Sequence, residues 1–326
     1  MSQPISSRSS LGEVLAGWPP PVLDPAGPYA GQIVVLAWAL AIMFVVVFAV
    51  VLAAIAVALF GDPKLKARLG GERLVWIGGI AFPVVVLTGL LVWALILTAS
   101  LTEPIRGDER RIRVTGEMWW WRVVYLDAEG RPVAQDANEI HIPVGEPVVF
   151  ELTSADVIHS FWVPRLSGKL DMIPGRINLM RVQADAPGVY GGQCAEYCGG
   201  PHALMGLAVV AHEPADFQAR LARLAEPAAP PAAPRAARGA EIFDAVGCGA
   251  CHTIAGTEAN GRAGPDLTHV GARRTLGGGI LPNNHGALAG WISDSQTIKP
   301  GNRMPPYRQL SGAELTDLSA YMASLR

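Results

Sequence analysis

Two uncharged apolar runs, Ile33–Phe60 and Leu74–Thr102, constrain this chain more than any other feature. Each exceeds the roughly 20 residues an α-helix needs to cross the hydrocarbon core of a bilayer. A pair of buried helices in a soluble core rarely stays apolar for so long, so the sequence predicts a transmembrane helix hairpin over residues 31–102. The turn between the runs carries Lys64, Lys66, Arg68 and Arg73, whereas residues 1–30 carry only Arg8. Cytoplasmic loops hold the excess of basic residues. That rule places the turn inside, and the segment 1–30 and everything after Thr102 outside. No apolar run of signal-peptide type stands in residues 1–30 ahead of the first span. The net charge of −2 and the lack of a basic stripe with interleaved aromatics give no sign of nucleic-acid binding.

After the spans the hydrophobic period changes. "RIRV", "EIHIPVG", "PVVFEL" and "INLMRV" mix β-branched with polar residues between Gly, Pro and Asp turns, which predicts an all-β sandwich or barrel over 103–213. An amphipathic helix with Phe217, Leu221 and Leu224 on one face follows. Glu226–Arg238 is Pro/Ala-rich with little to bury, so 214–238 is expected to be a helix and a semi-stiff tether. Residues 239–326 read as a small all-α unit. One helix is marked by Ile242, Phe243 and Val246, a second by Leu288, Trp291 and Ile292. Ser311 and Glu314 form a capping-box pattern opening a third, with Leu315, Leu318, Met322 and Leu325 on its inner face.

The all-α unit contains "CGACH". Cys248 and Cys251 have the spacing that lets two thiols reach the two vinyl groups of one haem, with His252 under the iron. A redox dithiol or half a zinc site is the competing reading, but no second cysteine pair remains in this unit and its context is helical. For the sixth ligand only Met304 and Met322 follow. Met322 lies on an inward helix stripe, where methionine usually fills core, so the proline-bounded Met304 of "GNRMPPY" is preferred. The Pro265 carbonyl is expected to orient His252, and His269 and His285 to be surface or supporting residues. The unit resembles a class I cytochrome c over most of Gly239–Arg326.

The other two cysteines lie in "QCAEYCGGPHALM", Gln193–Met205. Cys194 and Cys198 could form a disulfide outside the cytoplasm, yet that leaves His202 and Met205 without a role. Zinc accepts Cys and His, but thioether is a poor zinc ligand, and soft sulfur with imidazole points to copper. Two thiolates could bridge two metals. A second imidazole is then needed, and His159 in "SADVIHSFWVP" supplies it.

These residues carry a wider resemblance. "DVIHSFWVP", "KLDMIPGR" and "QCAEYCGGPHALM" look like cytochrome c oxidase subunit II, with its binuclear CuA centre in a cupredoxin domain. With the spans and the cytochrome unit the match extends over nearly the whole chain and resembles the caa-type variant. The resemblance implies Cys194 and Cys198 as bridging ligands and His159 and His202 as one cap on each copper. It implies Met205 as a weak axial ligand and Glu196 as a backbone-carbonyl ligand. The Glu196 carboxylate would meet a magnesium ion shared with subunit I. The first tryptophan of "GEMWWWRVVY", Trp119, would be where electrons arrive, while strand packing is the plainer explanation of the run. Glu72 stands about one turn early relative to Pro83 for a role in proton uptake, and helix-end solvation explains it better. His141 and His212 are expected to be structural or exposed.

The implied function is electron input to a proton-pumping cytochrome c oxidase in the bacterial inner membrane. Its partners would be subunit I with the other oxidase subunits, a soluble or membrane cytochrome c donor, and lipid. Two alternatives share parts of the pattern: the CuA-containing subunit of a nitric oxide reductase, and a non-catalytic membrane copper-binding protein. The covalent haem argues against the second.

Overall fold

The computed structural model describes residues 21–326. Most of the N-terminal segment, with Arg8, therefore lies outside the described residues. The described chain divides into two units, residues 31–105 and a second unit made of residues before 31 together with 106–326.

The first unit is helical. α1 spans Pro28–Phe60, a short α2 spans Pro63–Leu69, and α3 runs over Glu72–Leu101. Asp62 caps α2 by accepting the Leu65 N–H at 2.9 Å, which turns the chain sharply after α1. α1 and α3 are long and apolar enough to cross a membrane. Inside α3 the stretch Ile77–Ala81 winds as a π-helix. Pro83, which has no N–H to donate, follows within the same helix, and the ladder loosens just upstream of it. Ser100 donates to Gln32 at 3.0 Å and ties the two long helices together. Glu72 is exposed in the first turn of α3.

The other unit opens with a sandwich of two five-stranded sheets. One has the order β3-β2-β1-β5-β8, built from β1 (Arg110–Glu117), β2 (Trp120–Leu126), β3 (Pro132–Ala137), β5 (Val148–Ser154) and β8 (Asn178–Val182). The other has the order β4-β10-β9-β6-β7, from β4 (Glu139–Pro143), β10 (Gly206–His212), β9 (Gly188–Cys194), β6 (His159–Trp162) and β7 (Lys169–Met172). Alternation along β2 sends Trp121, Val123 and Tyr125 inward and their neighbours outward. Trp121 meets Phe161 edge-on at 5.8 Å, and Phe161 meets Phe150 at 5.4 Å. That aromatic file joins the two sheets next to His159, whose ring lies 6.3 Å from that of Trp121. α4 (Pro214–Ala225) covers one edge with Phe217 and Leu224 buried and Leu221 packed against the same core.

The tether expected over 226–238 is shorter than its composition suggests. α5 starts at Pro234 and runs to Ala245, because Pro is well suited to a first helical position and the alanines after it are strong helix formers. The residues before it are bonded down: Ala228 N–H donates to Ala255 at 2.8 Å, and the His269 imidazole holds the Glu226 carbonyl at 3.0 Å. His269 is thus buried rather than at the surface, whereas His285 is exposed. α6 (His285–Ile298) and α7 (Gly312–Ser324) complete the helical unit, and the Ser311–Glu314 capping box is formed. A two-stranded hairpin, β11 (Thr275–Leu276) with β12 (Leu281–Pro282), precedes α6.

A broad polar seam joins the helical unit to the sandwich. Asp136 on β3 receives the Arg273 guanidinium at 2.7 Å, and both side chains are buried. Burial pushes the Asp136 carboxyl up, and Arg273, His141 and Arg220 more than reverse it, leaving the group well below the usual carboxylate range. Next to it, Glu139 accepts the backbone N–H groups of Arg274 and Thr275. His141 and His212 share a bond of 2.8 Å in the same cluster, so both are structural.

Candidate metal centres

β6 and β9 are neighbours, with Phe161 opposite Cys194. His159 opens β6, Cys194 closes β9, and the following loop returns at Met205 to start β10. The loop is shut by Cys194 N–H donating to the Met205 carbonyl at 2.9 Å and by Ala195 N–H donating to Ser160 at 2.9 Å. A hairpin connection thus folds the four loop ligands back on themselves, and the neighbouring strand delivers the fifth side chain.

The six candidate ligand atoms form a connected cluster. The two sulfurs of Cys194 and Cys198 are 3.7 Å apart, far beyond the roughly 2.05 Å of a disulfide. His159 Nδ1 lies 3.8 Å from Cys194 Sγ, and the Glu196 carbonyl lies 3.3 Å from it. His202 Nδ1 lies 3.4 Å from Cys198 Sγ, and Met205 Sδ 3.8 Å from it. His159, Cys194, Cys198 and Met205 are all buried. The hydrogen bond between the sulfurs holds the Cys194 thiol down, while the same contact and burial push Cys198 up. Two buried thiols in contact fit cations placed between them, since both can then ionise. Soft sulfur and imidazole in this arrangement fit copper.

Supporting residues set the ligand orientation. His159 Nε2 bonds Asp156 Oδ1 at 2.8 Å, which turns Nδ1 toward the sulfurs, as a carboxylate partner does for metal-bound imidazoles. Gly116 lies under that ring, where a Cβ would come within 2.7 Å of it, so only glycine fits. Trp119, reached through a cis Met118–Trp119 peptide, is half-buried and donates its indole N–H to the Cys198 carbonyl at 2.9 Å.

The second centre sits in the helical unit. Cys248 and Cys251 flank a single 3-10 turn, Cys248–Ala250. His252 Nδ1 bonds the Pro265 carbonyl at 2.8 Å, as expected, which leaves Nε2 for an iron. Burial lowers the imidazole pKa and keeps the ring neutral, the form that ligates. Gly264 gives the ring room, since a Cβ there would come within 2.5 Å of it. A cavity of about 300 Å³ opens beside Cys248, Cys251, His252 and Met304. Its mainly apolar lining and its two thiols beside a histidine fit a covalent haem. The Met304 carbonyl is held by Ser295 at 3.0 Å and Gln296 at 2.8 Å, and its N–H by Asn302 at 2.8 Å. Met322 also borders the cavity but is buried in the helical core.

Trp119 and Trp120 of the sandwich wall this same cavity, so one tryptophan touches both centres. Asp156 has no motif of its own in the sequence; its place three residues before His159 is the one signal for it.

The family models for "Cytochrome C oxidase subunit II, periplasmic domain" and "Cytochrome c" match residues 126–212 and 236–326. Cytochrome c oxidase subunit 2 of Alkalihalophilus pseudofirmus is 36% identical over 317 residues, covering 93% of this chain and 90% of that one. The Bacillus subtilis protein of the same name is 28% identical over 284 residues, covering 82% and 78%. Among solved structures, the periplasmic domain of cytochrome oxidase subunit II of Bradyrhizobium japonicum is 31% identical. It covers 37% of this chain and 95% of that one, with a TM-score of 0.34. With a relative of this identity spanning almost its whole length, the chain belongs to the cytochrome c oxidase subunit II family of oxidoreductases, in the form that carries a cytochrome c domain.

Proposed function

We propose that this chain is the electron-input subunit of a proton-pumping oxidase. It takes electrons from a cytochrome c donor through haem c and binuclear copper to haem in subunit I, where oxygen becomes water. In this reading Cys194 and Cys198 would hold two coppers between them, with His159 and His202 as one further ligand each, Met205 as a weak ligand and Glu196 through its carbonyl. The Glu196 carboxylate, half-exposed on the loop, is left to meet a magnesium ion shared with subunit I. Cys248 and Cys251 would bond the haem, and His252 and Met304 would hold its iron.

When bound, the copper pair would share one electron over two metals and the haem iron would exchange one at the cytochrome end. The chain's task is to hold still around both. Asp156 fixes the His159 tautomer, the closed β9–β10 loop fixes the sulfurs, and Pro265 fixes His252. Small ligand movement keeps reorganisation small. The crossing between centres is assigned to Trp119, which lines the haem cavity and bonds the Cys198 carbonyl. The basic turn of α2 argues for a cytoplasmic turn, with both redox domains on the outer face of the inner membrane and lipid around α1 and α3.

The observation that carries this reading is the six-atom cluster around the two sulfurs. Metal and haem analysis with EPR on the purified full-length chain tests it. Two coppers and one haem per chain with a seven-line mixed-valence signal are expected. One zinc with no copper overturns the assignment. Turnover of the assembled complex with oxygen against nitric oxide then separates an oxidase from a nitric oxide reductase.

A further inference from the structure

Lys299 has an environment unusual for a lysine. It closes α6 in the cytochrome domain, and only 2% of its surface is exposed. Its Nζ donates to the Trp119 carbonyl at 2.6 Å, the Leu204 carbonyl at 2.8 Å and the Gly277 carbonyl at 2.7 Å. An ammonium has three donors, and all three are used. Among the described residues no carboxylate pairs with it. Burying an unpaired ammonium is costly, so this arrangement persists only because three oriented carbonyls replace water.

Those carbonyls come from both domains. Trp119 and Leu204 belong to the copper domain, Leu204 being next to Met205 in the ligand loop. Gly277 lies in the hairpin turn of the cytochrome domain. Four residues after Lys299, Arg303 reaches Asp156 Oδ2 at 3.2 Å, and that oxygen also accepts the Met118 N–H at 2.8 Å. The stretch that delivers Met304 to the haem cavity thus sends two cations across the seam, one to each end of the Met118–Trp119 pair.

We propose that Lys299 is a positioning residue for electron transfer between the two domains, pinning Trp119 and the Met205 loop in one register against the haem cavity. This rests on the reading that electrons cross at Trp119. Arg303 is the second, exposed anchor of the same clamp. Burial pushes the ammonium down to about 7.

The test uses the full-length holoprotein at about pH 6, below the value to which burial brings Lys299. An electron is placed on haem c by a photoreductant and its arrival at copper is followed by absorption. Lys299→Met is expected to slow arrival at least about tenfold, as small misplacements of a reacting pair do. Both absorption spectra should persist, and the copper reduction potential is measured alongside, so that slower arrival at an unchanged potential reports misplacement rather than lost driving force. An arrival rate equal to wild type overturns the proposal, and so does a slowing fully accounted for by a change in potential. Trp119→Ala is run in parallel. If it slows arrival and Lys299→Met does not, Lys299 has no positioning role. If Trp119→Ala also has no effect, the Trp119 crossing itself falls. Should Lys299→Met fail to assemble, Arg303→Gln is read instead, because that side chain is 58% exposed and tolerates change. A slowed rate there supports the clamp, and an unchanged one overturns it.

Discussion

The indole N–H of Trp119 donates to the Cys198 carbonyl at 2.9 Å, while the ring of the same residue walls the cavity beside His252. One side chain is therefore bonded to the backbone of a copper-ligand candidate and packed against the haem site. Trp119→Ala should slow electron arrival at copper by about tenfold or more while leaving the copper absorption unchanged. Flash-induced transfer kinetics with a parallel spectrum check both halves of that statement.

Asp156 bonds His159 at 2.8 Å without being one of the candidate copper ligands. Asp156→Asn keeps the shape but removes the charge that orients His159. Loss of such an outer partner typically costs about 10–100-fold in metal affinity. Competition with a copper chelator should show a shift of that size, and unchanged affinity would remove the assigned role.

The two methionines at the haem cavity are distinguishable by substitution. Met322→Leu nearly conserves volume and should cost less than about 1.5 kcal/mol. Met304→Leu should convert the low-spin haem spectrum to that of an iron lacking its sulfur ligand. Met322→Leu should leave the spectrum intact, and the opposite pattern would reassign the ligand.

Glu139 makes the seam between the domains sensitive to pH. Burial, reinforced by the neighbouring Asp136 carboxylate, raises its pKa from 4.5 to about 7. Between these values the folded chain keeps a proton that the unfolded chain has released. The Glu139 contribution is thus fully present below about pH 4.5 and is lost as pH rises through about 7. The linked free energy is on the order of 3 kcal/mol. His141 and His212, held below the usual imidazole range mainly by burial, act in the opposite sense as pH falls. Asp136, held low, loses its contribution only at more acidic pH. Comparison with Glu139→Gln isolates the one group: from pH 5 to pH 7 the wild-type melting temperature should fall relative to that of the variant. Parallel curves would show that Glu139 does not titrate there.

Much of both centres was legible because the chemistry is local. Cys194, Cys198, His202 and Met205 fall within one hairpin loop, and Cys248, Cys251 and His252 within one short turn. Chain connectivity alone brings such side chains together. The spans were legible from unbroken apolar length, although the π-turn over Ile77–Ala81 needed the helix itself to reveal it. The stretch 226–238 misled because its prolines suggested a tether, while helix propensity and bonds to Ala255 and His269 bind it to the cytochrome domain.

The sequence by itself determined which candidate ligands stand together and how they are grouped, since spacing over a few residues confines them whatever the rest of the chain does. Only the tertiary structure decided how the groups face each other. Asp136 meets Arg273 across 137 positions and Lys299 meets Trp119 across 180. A lone lysine or aspartate has no period and no motif. Its role depends on desolvation and on which carbonyls or charges surround it, and those arise only when distant segments are brought into contact.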